Sequence, residues 1–285
     1  MNSKLFANVQ YLLPKHGLSR LMHALTRVRW PWLKCLTIDT FLRYFSVDMH
    51  EAIEPDPYAY ESFNAFFTRE LKPDARPICA AIDAFVSPVD GTISQIGIID
   101  GDAILQAKGH SYSLLTLLAG NRELAQRYRN GHFACIYLAP YNYHRIHMPL
   151  NGSLNTTIYV PGDLFSVNTA TAQHVPSLFA RNERVICDFD SSPAKFAMAF
   201  IGALFVGSIE TVWAGEINPI PRRQSIVELN TGSGMQLKKG AEAGRFNMGS
   251  TVIVLVEAGR VQWLNSLQSG STVQLGQQLG TLQST

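Results

Sequence analysis

The chain has 285 residues, of which 46% are hydrophobic and 16% charged, and its formal net charge is +2. This length supports one large domain or one domain with an appendage, and a near-neutral chain without a Lys/Arg-rich block excludes a typical nucleic-acid-binding protein. Four scattered cysteines without a CxxC pair indicate buried thiols in a reducing compartment rather than a disulfide framework or a zinc site.

The N-terminal segment is basic and amphipathic. Between Met1 and Ile38 the sequence holds six Lys or Arg residues and no Asp or Glu. Apolar residues recur there at helical spacing, and Pro14 with Gly17 predicts a break between two short helices. Trp30 and Trp32 add rings suited to the lipid headgroup level. The pattern is typical of helices lying in a membrane interface, and the alternative is packing of the same helices on the protein's own core.

The sequence favours a protein that lies on a membrane without crossing it. No stretch reaches the roughly 18 apolar residues that a spanning helix needs. The closest candidate, Phe196 to Ile209, is predicted to be a buried strand. No secretory signal is recognisable, although an acid-poor start that contains arginines is also compatible with an organellar transit peptide.

Beyond the front end, the elements turn from helix to strand. Further helices are predicted over Leu33 to Val47, Ser62 to Glu70 and Ser113 to Arg127, and a turn over Asn230 to Gly234. We expect an α+β fold with a β-rich core of antiparallel sheets, sandwich-like or barrel-like, preceded by N-terminal amphipathic helices. Residues 1–50 would be the membrane-associating helices and 51–285 the β-rich catalytic domain. Strands are predicted over Thr92 to Ile99, His132 to Leu138, Leu154 to Val160, Val185 to Phe189, Ala197 to Ile209 and Thr251 to Val256.

Two histidines and one aspartate are candidates for acid–base chemistry. His144 and His147 are three residues apart, so they share a face on a helix and point to opposite faces on a strand. They could be metal ligands, but no nearby carboxylate or thiol completes a set; the other interpretations are a structural histidine or a catalytic base. Asp90 precedes Gly91, which is a turn signal by default and would suit an acid that orients a histidine.

A further candidate is a hydroxyl beside an unhindered peptide bond. Gly249 and Ser250 stand directly before the apolar run Val252 to Val256. The nucleophile-elbow pattern G-x-S-x-G is absent, so Ser250 is either the start of a strand or a nucleophile of another kind. Glycine before the serine leaves the carbonyl open to attack.

Segments along nearly the whole chain resemble phosphatidylserine decarboxylases. The string from Phe246 to Thr251 resembles the self-processing motif of that family, with Met248 at the usual leucine position, a volume-tolerant exchange. The segment Val9 to Lys15 is similar to the bacterial branch, which argues against a transit peptide. The other segments that resemble the family are Ser87 to Gly91, Tyr143 to Pro149, Tyr159 to Asn168 and Phe179 to Arg184.

The resemblance implies a chain that cuts itself at the Gly249–Ser250 bond. His147 would take the Ser250 hydroxyl proton, and Asp90 would hold the imidazole in the required tautomer. The products would be a large β chain, residues 1–249, and a small α chain, residues 250–285, which stay together as a heterodimer. Ser250 would become a pyruvoyl group, the covalent cofactor derived from pyruvate, and no metal is expected.

The resemblance also implies the substrate and the location. The pyruvoyl group would form a Schiff base with phosphatidylserine and release CO2, which gives phosphatidylethanolamine. His144 is the candidate proton donor, and Ser166 and Asn168 are candidate headgroup contacts, unless they only make turn hydrogen bonds. The protein would be peripheral on the cytoplasmic side of the cell membrane, with an anionic membrane surface as partner. The oligomeric state stays open.

Two other functions fit parts of the same pattern. A Ser-His-Asp lipid or peptide hydrolase would use Ser250 unmodified. A non-enzymatic, membrane-docked β module of the lipoyl type is suggested by Gly276 to Leu279 and Ser87 to Gly91, but a swinging-arm carrier would need a lysine in a tight turn, which the sequence lacks there.

Overall fold

The computed structural model describes residues 3–107, 109–205, 208–217, 225–229 and 232–283. Its helices are α1 Ser3–Leu12, α2 Lys15–Thr26, α3 Pro31–Tyr44, α4 Phe63–Phe67, α5 Leu114–Leu117, α6 Arg122–Tyr128, α7 Thr169–Ala172 and α8 Leu178–Arg181. Its strands are β1 Ala84–Val86, β2 Gly91–Ile98, β3 Ala103–Ala107, β4 His110–Ser113, β5 His132–Leu138, β6 Arg145–His147, β7 Gly152–Val160, β8 Arg184–Asp190, β9 Phe196–Ile201, β10 Ile209–Thr211, β11 Gly215–Glu216, β12 Val227–Leu229, β13 Gln236–Leu237, β14 Glu242–Phe246, β15 Ser250–Val256, β16 Val261–Trp263, β17 Thr272–Val273 and β18 Gln278–Leu282.

One large antiparallel sheet organises the fold. Within the described residues its order is β12-β7-β8-β9-β15-β5-β2-β17, with β13 beside β7. Strand β15 lies in the middle, paired with β5 on one side and β9 on the other. Its β-branched run suits a strand buried on both faces, and all seven of its residues are buried. The sheet remains open at its ends, so the predicted antiparallel, β-rich α+β class is confirmed without a closed barrel among the described strands.

The two faces of the large sheet cover different layers. On one face, Val252 packs with Phe246 of β14 and Phe85 of β1, which belong to two smaller sheets, β11-β10-β14-β6 and β1-β18-β16. On the other face, Ile253 packs with Phe179 of α8 and with residues of α5 and α6. Because successive side chains of a strand alternate, Ser250 belongs to the first face.

The N-terminal helices pack onto the β-rich part. Helix α1 contacts α7, and the backbone N–H of Phe205 donates to Ser19 Oγ of α2 at 3.2 Å. Contacts therefore cross the predicted boundary at residue 50, and the division of the chain at that residue stays a prediction. Much of the positive charge of this segment is also paired: Lys15 with Asp163, Arg27 with Glu216, Arg29 with Glu61, and Lys34 with the carbonyls of Tyr58 and Tyr60.

Three predicted elements differ from the observed ones. Gly17 lies inside α2, so Pro14 alone separates the first two helices. The helix predicted over Ser113 to Arg127 is two helices, because Ala119 and Gly120 adopt positive φ angles of 60° and 80° between them. The strand predicted over Ala197 to Ile209 is β9 and the start of β10. Residues 206–207 lie outside the described residues, as do residues 230–231 of the predicted turn.

Candidate functional site

The Gly249–Ser250 bond lies where the chain enters the central strand. Ser250 is the first residue of β15, opposite Leu138 of β5. The preceding Met248 has a φ of 149°, which a side chain other than glycine rarely adopts. A residue held in such a region costs on the order of 1–3 kcal/mol. Met248 also packs against the aromatic cluster of α3 and α4, so tertiary contacts hold the strained backbone in place.

The Ser250 hydroxyl is buried and without a partner. Its side chain has no exposed surface, and Oγ makes no hydrogen bond in the part of the chain that the structure describes. A buried hydroxyl without a partner is destabilising, by about 1–3 kcal/mol. The reacting atom predicted from sequence is therefore shielded from bulk water and bound to nothing.

His144 faces this bond. The loop after β5 is closed by Asn142, whose Oδ1 accepts from Ala139 N at 2.7 Å. The Asn142 carbonyl lies 2.8 Å from His144 Nδ1, and because a carbonyl only accepts, Nδ1 carries the proton. The lone pair is then on Nε2, a buried atom without a hydrogen-bond partner in the described chain. Nε2 is 3.8 Å from where a Cβ on Gly249 would be.

Burial keeps the His144 imidazole neutral. Desolvation lowers its pKa to about 3, against a raising effect of the Asn142 carbonyl and a further lowering by Arg69. The ring is packed on Phe67 of α4, with centroids 4.1 Å apart. Helix α4 is itself fixed by its cap, since Ala65 N donates to Ser62 Oγ at 3.1 Å. The Nε2 lone pair of His144 is thus free of a proton at neutral pH.

His147 belongs to a neighbouring polar cluster. Its Nδ1 donates to the Gly240 carbonyl at 2.9 Å, and its Nε2 lies 3.2 Å from the Tyr143 hydroxyl. Burial lowers the pKa of His147 as well. Because His147 ends β6, it stands three extended steps after His144, a span of roughly 10 Å along the chain.

Asp90 lies in the same cluster as His147 but contacts other groups. Its carboxylate accepts from Arg76 at 2.7 Å and from the backbone N–H of Leu275 at 2.8 Å, and Arg76 also pairs with Glu51. Among the hydrogen bonds of the described residues, none joins Asp90 to His147. Asp90–Gly91 is not a hairpin turn: glycine stands there because a Cβ would lie 2.5 Å from the Tyr137 carbonyl oxygen.

A cavity of about 420 Å³ opens beside Gly249 and brings Ser166 and Asn168 to the same place. Its walls are mostly apolar, and aromatic rings contribute from several elements: Phe6 of α1, Phe41 of α3, Phe45 directly after α3, and Phe67 of α4. We call it the site cavity. A second apolar cavity of about 370 Å³, between α2 and α3, shares Phe41, Phe45 and Met248 with it.

The structure therefore joins some of the predicted site residues and separates others. Gly249, Ser250 and His144 meet at one point, Ser166 and Asn168 line the adjoining cavity, and Asp90 with His147 forms the neighbouring cluster. The sequence did not indicate the aromatic walls or Arg76, because only the tertiary fold brings these distant segments together. Within the described residues, no group of three His, Cys, Asp or Glu side chains is placed to hold a metal ion.

Comparisons with known proteins give one and the same family over nearly the whole chain. Residues 63–281 match the family model described as phosphatidylserine decarboxylase, and residues 5–46 match a model described as PSD. A phosphatidylserine decarboxylase proenzyme of Methylococcus capsulatus is 50% identical over 279 residues, covering 98% of this chain and 96% of the relative. A proenzyme of the same description from Klebsiella pneumoniae strain 342 is 52% identical over 286 residues, covering 99% and 89%.

Proposed function

The chain belongs to the phosphatidylserine decarboxylase family, and from this premise we propose that it makes its own pyruvoyl cofactor from Ser250 and uses it to decarboxylate phosphatidylserine. Phosphatidylethanolamine and CO2 are the products. The observation that carries the proposal is the buried, unpartnered hydroxyl of Ser250 beside the neutral His144, at a peptide bond preceded by the strained Met248.

Self-cleavage starts from the Ser250 hydroxyl. Its Oγ attacks the Gly249 carbonyl carbon, His144 Nε2 takes the hydroxyl proton, and the C–N bond breaks as the amine of Ser250 receives that proton. The ester then loses the Cα proton of residue 250, and its C–O bond breaks to leave a carboxylate on Gly249. Water replaces the nitrogen, which departs as ammonia.

The burial of Ser250 favours self-attack over hydrolysis of an external ester. A hydrolase needs its nucleophile at a surface that substrate can reach. The Ser250 side chain is instead fully buried, and of the two residues joined by the scissile bond only Gly249 lines the cavity. The buried Oγ and the buried Nε2 each lack a partner in the described chain, so neither is held by another group, and the two must close to hydrogen-bonding distance before the proton moves. When formed, a pyruvoyl group supplies a carbonyl that draws electrons from the substrate's Cα–CO2 bond.

The base in this geometry differs from the one inferred from the sequence. The assignment of His147 as base, with Asp90 as its orienting acid, remains a prediction, and it requires His147 to approach Ser250. As placed here, Asp90 is engaged by Arg76 and Leu275, and His147 by Gly240 and Tyr143. We assign the proton transfer at the scissile bond to His144, with Asp90 and His147 as the supporting cluster behind it.

The site cavity suits the two halves of a phospholipid. Its phenylalanine rings offer an apolar surface for acyl chains, and the second apolar cavity continues this surface past Met248. Ser166 and Asn168 offer hydrogen-bonding groups next to Gly249. In the described chain, the Ser166 hydroxyl and the Asn168 Nδ2 amide make no hydrogen bond, so both are open to a headgroup. His144, which packs on Phe67 of the cavity wall, is our candidate to return a proton to the substrate's Cα.

The N-terminal helices would hold the site against a lipid surface. The described helices include none that is long and apolar enough to cross a bilayer. Helices α1 to α3 instead expose large apolar side chains, with Leu12 at 86% and Trp32 at 66% exposure. Such side chains gain free energy by entering the headgroup boundary. We place the protein peripherally on an anionic membrane, at the cytoplasmic side, as a heterodimer of its two chains.

Replacement of single residues tests both the cofactor and the base. Ser250→Ala should remain one chain and produce no phosphatidylethanolamine. The control is Ser266→Ala, at an exposed serine within residues 250–285, which should behave as wild type. His144→Ala should slow cleavage by about 10²-fold or more, the usual contribution of a general base. Normal cleavage of Ser250→Ala would refute the proposal. Cleavage lost in His147→Ala and Asp90→Asn but kept in His144→Ala would return the role of base to His147.

A further inference from the structure

Helix α1 carries one polar side chain that its amphipathic pattern does not explain. Gln10 is 2% exposed, whereas Val9 and Leu12 on the same helix are 41% and 86% exposed. An uncharged amide buried under a surface helix costs free energy unless both of its ends are hydrogen-bonded. Both ends of Gln10 are bonded, and they bind the segment that lines the site cavity.

The Gln10 carboxamide joins two parts of that segment. Its Oε1 accepts from the backbone N–H of Ser166 at 2.7 Å, and its Nε2 donates to Thr171 Oγ1 at 3.1 Å. The Thr171 hydroxyl in turn donates to Asn168 Oδ1 at 3.1 Å. One side chain of α1 is thus linked directly to Ser166 and through one hydroxyl to Asn168.

Other contacts of α1 and α2 make this connection rigid. Lys15 Nζ donates to the Gln10 carbonyl at 3.2 Å and lies 4.1 Å from the centre of the Phe165 ring. Tyr11 packs edge-on against the same ring at 4.8 Å. The chain from Phe165 to Asn168 therefore has its position set by residues 10–15 as much as by its own neighbours.

We propose that Gln10 is a positioning residue for the headgroup site, which fixes Ser166 and Asn168 beside Gly249 from a helix whose opposite side meets the membrane. The inference rests on the proposed function, and it adds a residue that acts through others. It also implies that membrane docking and headgroup binding are linked, because one ten-residue helix carries both the exposed apolar side chains and Gln10.

Gln10→Met tests the proposal, because methionine keeps the length and helix propensity of glutamine but loses both hydrogen bonds. The purified variant should self-cleave normally. In mixed micelles of phosphatidylserine and detergent, its KM should rise about 5–10-fold, the effect of losing one hydrogen bond or two, with kcat changed less than about twofold. Gln10→Glu retains the acceptor for Ser166 N, with Lys15 nearby, and should recover most of the KM.

Two further variants keep the result interpretable. Asn8→Ala removes an exposed amide from the same helix and should leave KM unchanged. Thr171→Val removes the hydroxyl that bonds both Gln10 Nε2 and Asn168 Oδ1 but leaves the bond from Ser166 N to Gln10 Oε1. It should therefore give a smaller rise in KM, and it provides the test if Gln10→Met does not fold. A wild-type KM in Gln10→Met would overturn the proposal. So would a fall in kcat as large as the rise in KM, if Gln10→Glu recovers neither. Absence of cleavage and of phosphatidylethanolamine in the wild type would instead refute the proposed function.

Discussion

At the scale of single residues, two unpartnered atoms carry the chemistry. The Ser250 hydroxyl and His144 Nε2 are both buried without hydrogen bonds in the described structure. Such groups are rare in native cores, because each costs free energy that a bonded pair would not. Their meeting at a strained peptide bond is the arrangement expected of a site that reacts once with itself.

The lowered pKa of His144 gives a pH prediction. Burial favours the neutral imidazole, so with a pKa of about 3 the ring keeps its Nε2 lone pair from pH 8 down to pH 5.5. The rate of self-cleavage, followed on gels after pulse synthesis in a cell-free system, should change less than about threefold over that range. A base with the ordinary histidine pKa of about 6.5 would lose about tenfold by pH 5.5. Such a fall would contradict the assignment.

The residues also show where sequence reasoning ends. Local sequence motifs were enough to predict five site residues that the structure brings to one region: Gly249, Ser250, His144, Ser166 and Asn168. The hydrogen bond expected between Asp90 and His147 is absent among the described contacts, because Arg76 and Leu275 occupy the carboxylate. Arg76 lies 14 residues before Asp90, and no local sequence pattern predicts the ion pair between them.

At the scale of elements, strands were easier to predict than helices. The strand predicted over His132 to Leu138 is β5 to the residue, since its apolar, β-branched and aromatic run is long and bounded by turn residues. The helix predicted through residue 120 is broken, because the backbone turns left-handed at Ala119 and Gly120. Helices α7 and α8 were not predicted, since four residues are too few for a recognisable period.

Strand β15 should keep the two products of cleavage together. It forms backbone pairs with β5 from Ser250 to Val256 and with β9 from Thr251 to Val256, so the small chain begins inside the large sheet. Beyond it, β17 pairs with β2 and β18 with β1, which are both in the large chain.

We therefore predict that the cleaved protein elutes from a size-exclusion column in native buffer as one species containing both chains. Its elution volume should match that of the uncleaved Ser250→Ala variant. The chains should separate only in denaturant. Release of the small chain on simple dilution would contradict the role given to β15.

At the scale of the whole molecule, the helices with exposed apolar side chains also line the site cavity. Helices α1 and α3, which expose Leu12 and Trp32, supply Phe6 and Phe41 to its wall. A substrate that stays in the bilayer could thus reach Gly249 along an apolar path. The basic character inferred from the sequence is smaller at the surface than expected, because Lys15, Arg27 and Lys34 are engaged by the protein itself.

Membrane binding should accordingly depend more on apolar side chains than on charge. Replacement of Leu12, Leu21, Trp30 and Trp32 by serine should reduce sedimentation with anionic vesicles at least about tenfold, since each side chain gains about 1.5–3 kcal/mol on full burial. Self-cleavage should be unchanged. The control is Ile82→Ser with Ile98→Ser, two exposed apolar residues outside the helices, which should bind as wild type. Equal binding by both sets would contradict the membrane role of α1 to α3.

The intact mass of freshly purified protein tests the central chemistry most directly. We predict two polypeptides that divide after Gly249, the smaller one lighter by one ammonia than a simple peptide of residues 250–285 and heavier by two hydrogens after borohydride treatment. A single polypeptide of full mass that borohydride leaves unchanged would contradict the conversion of Ser250.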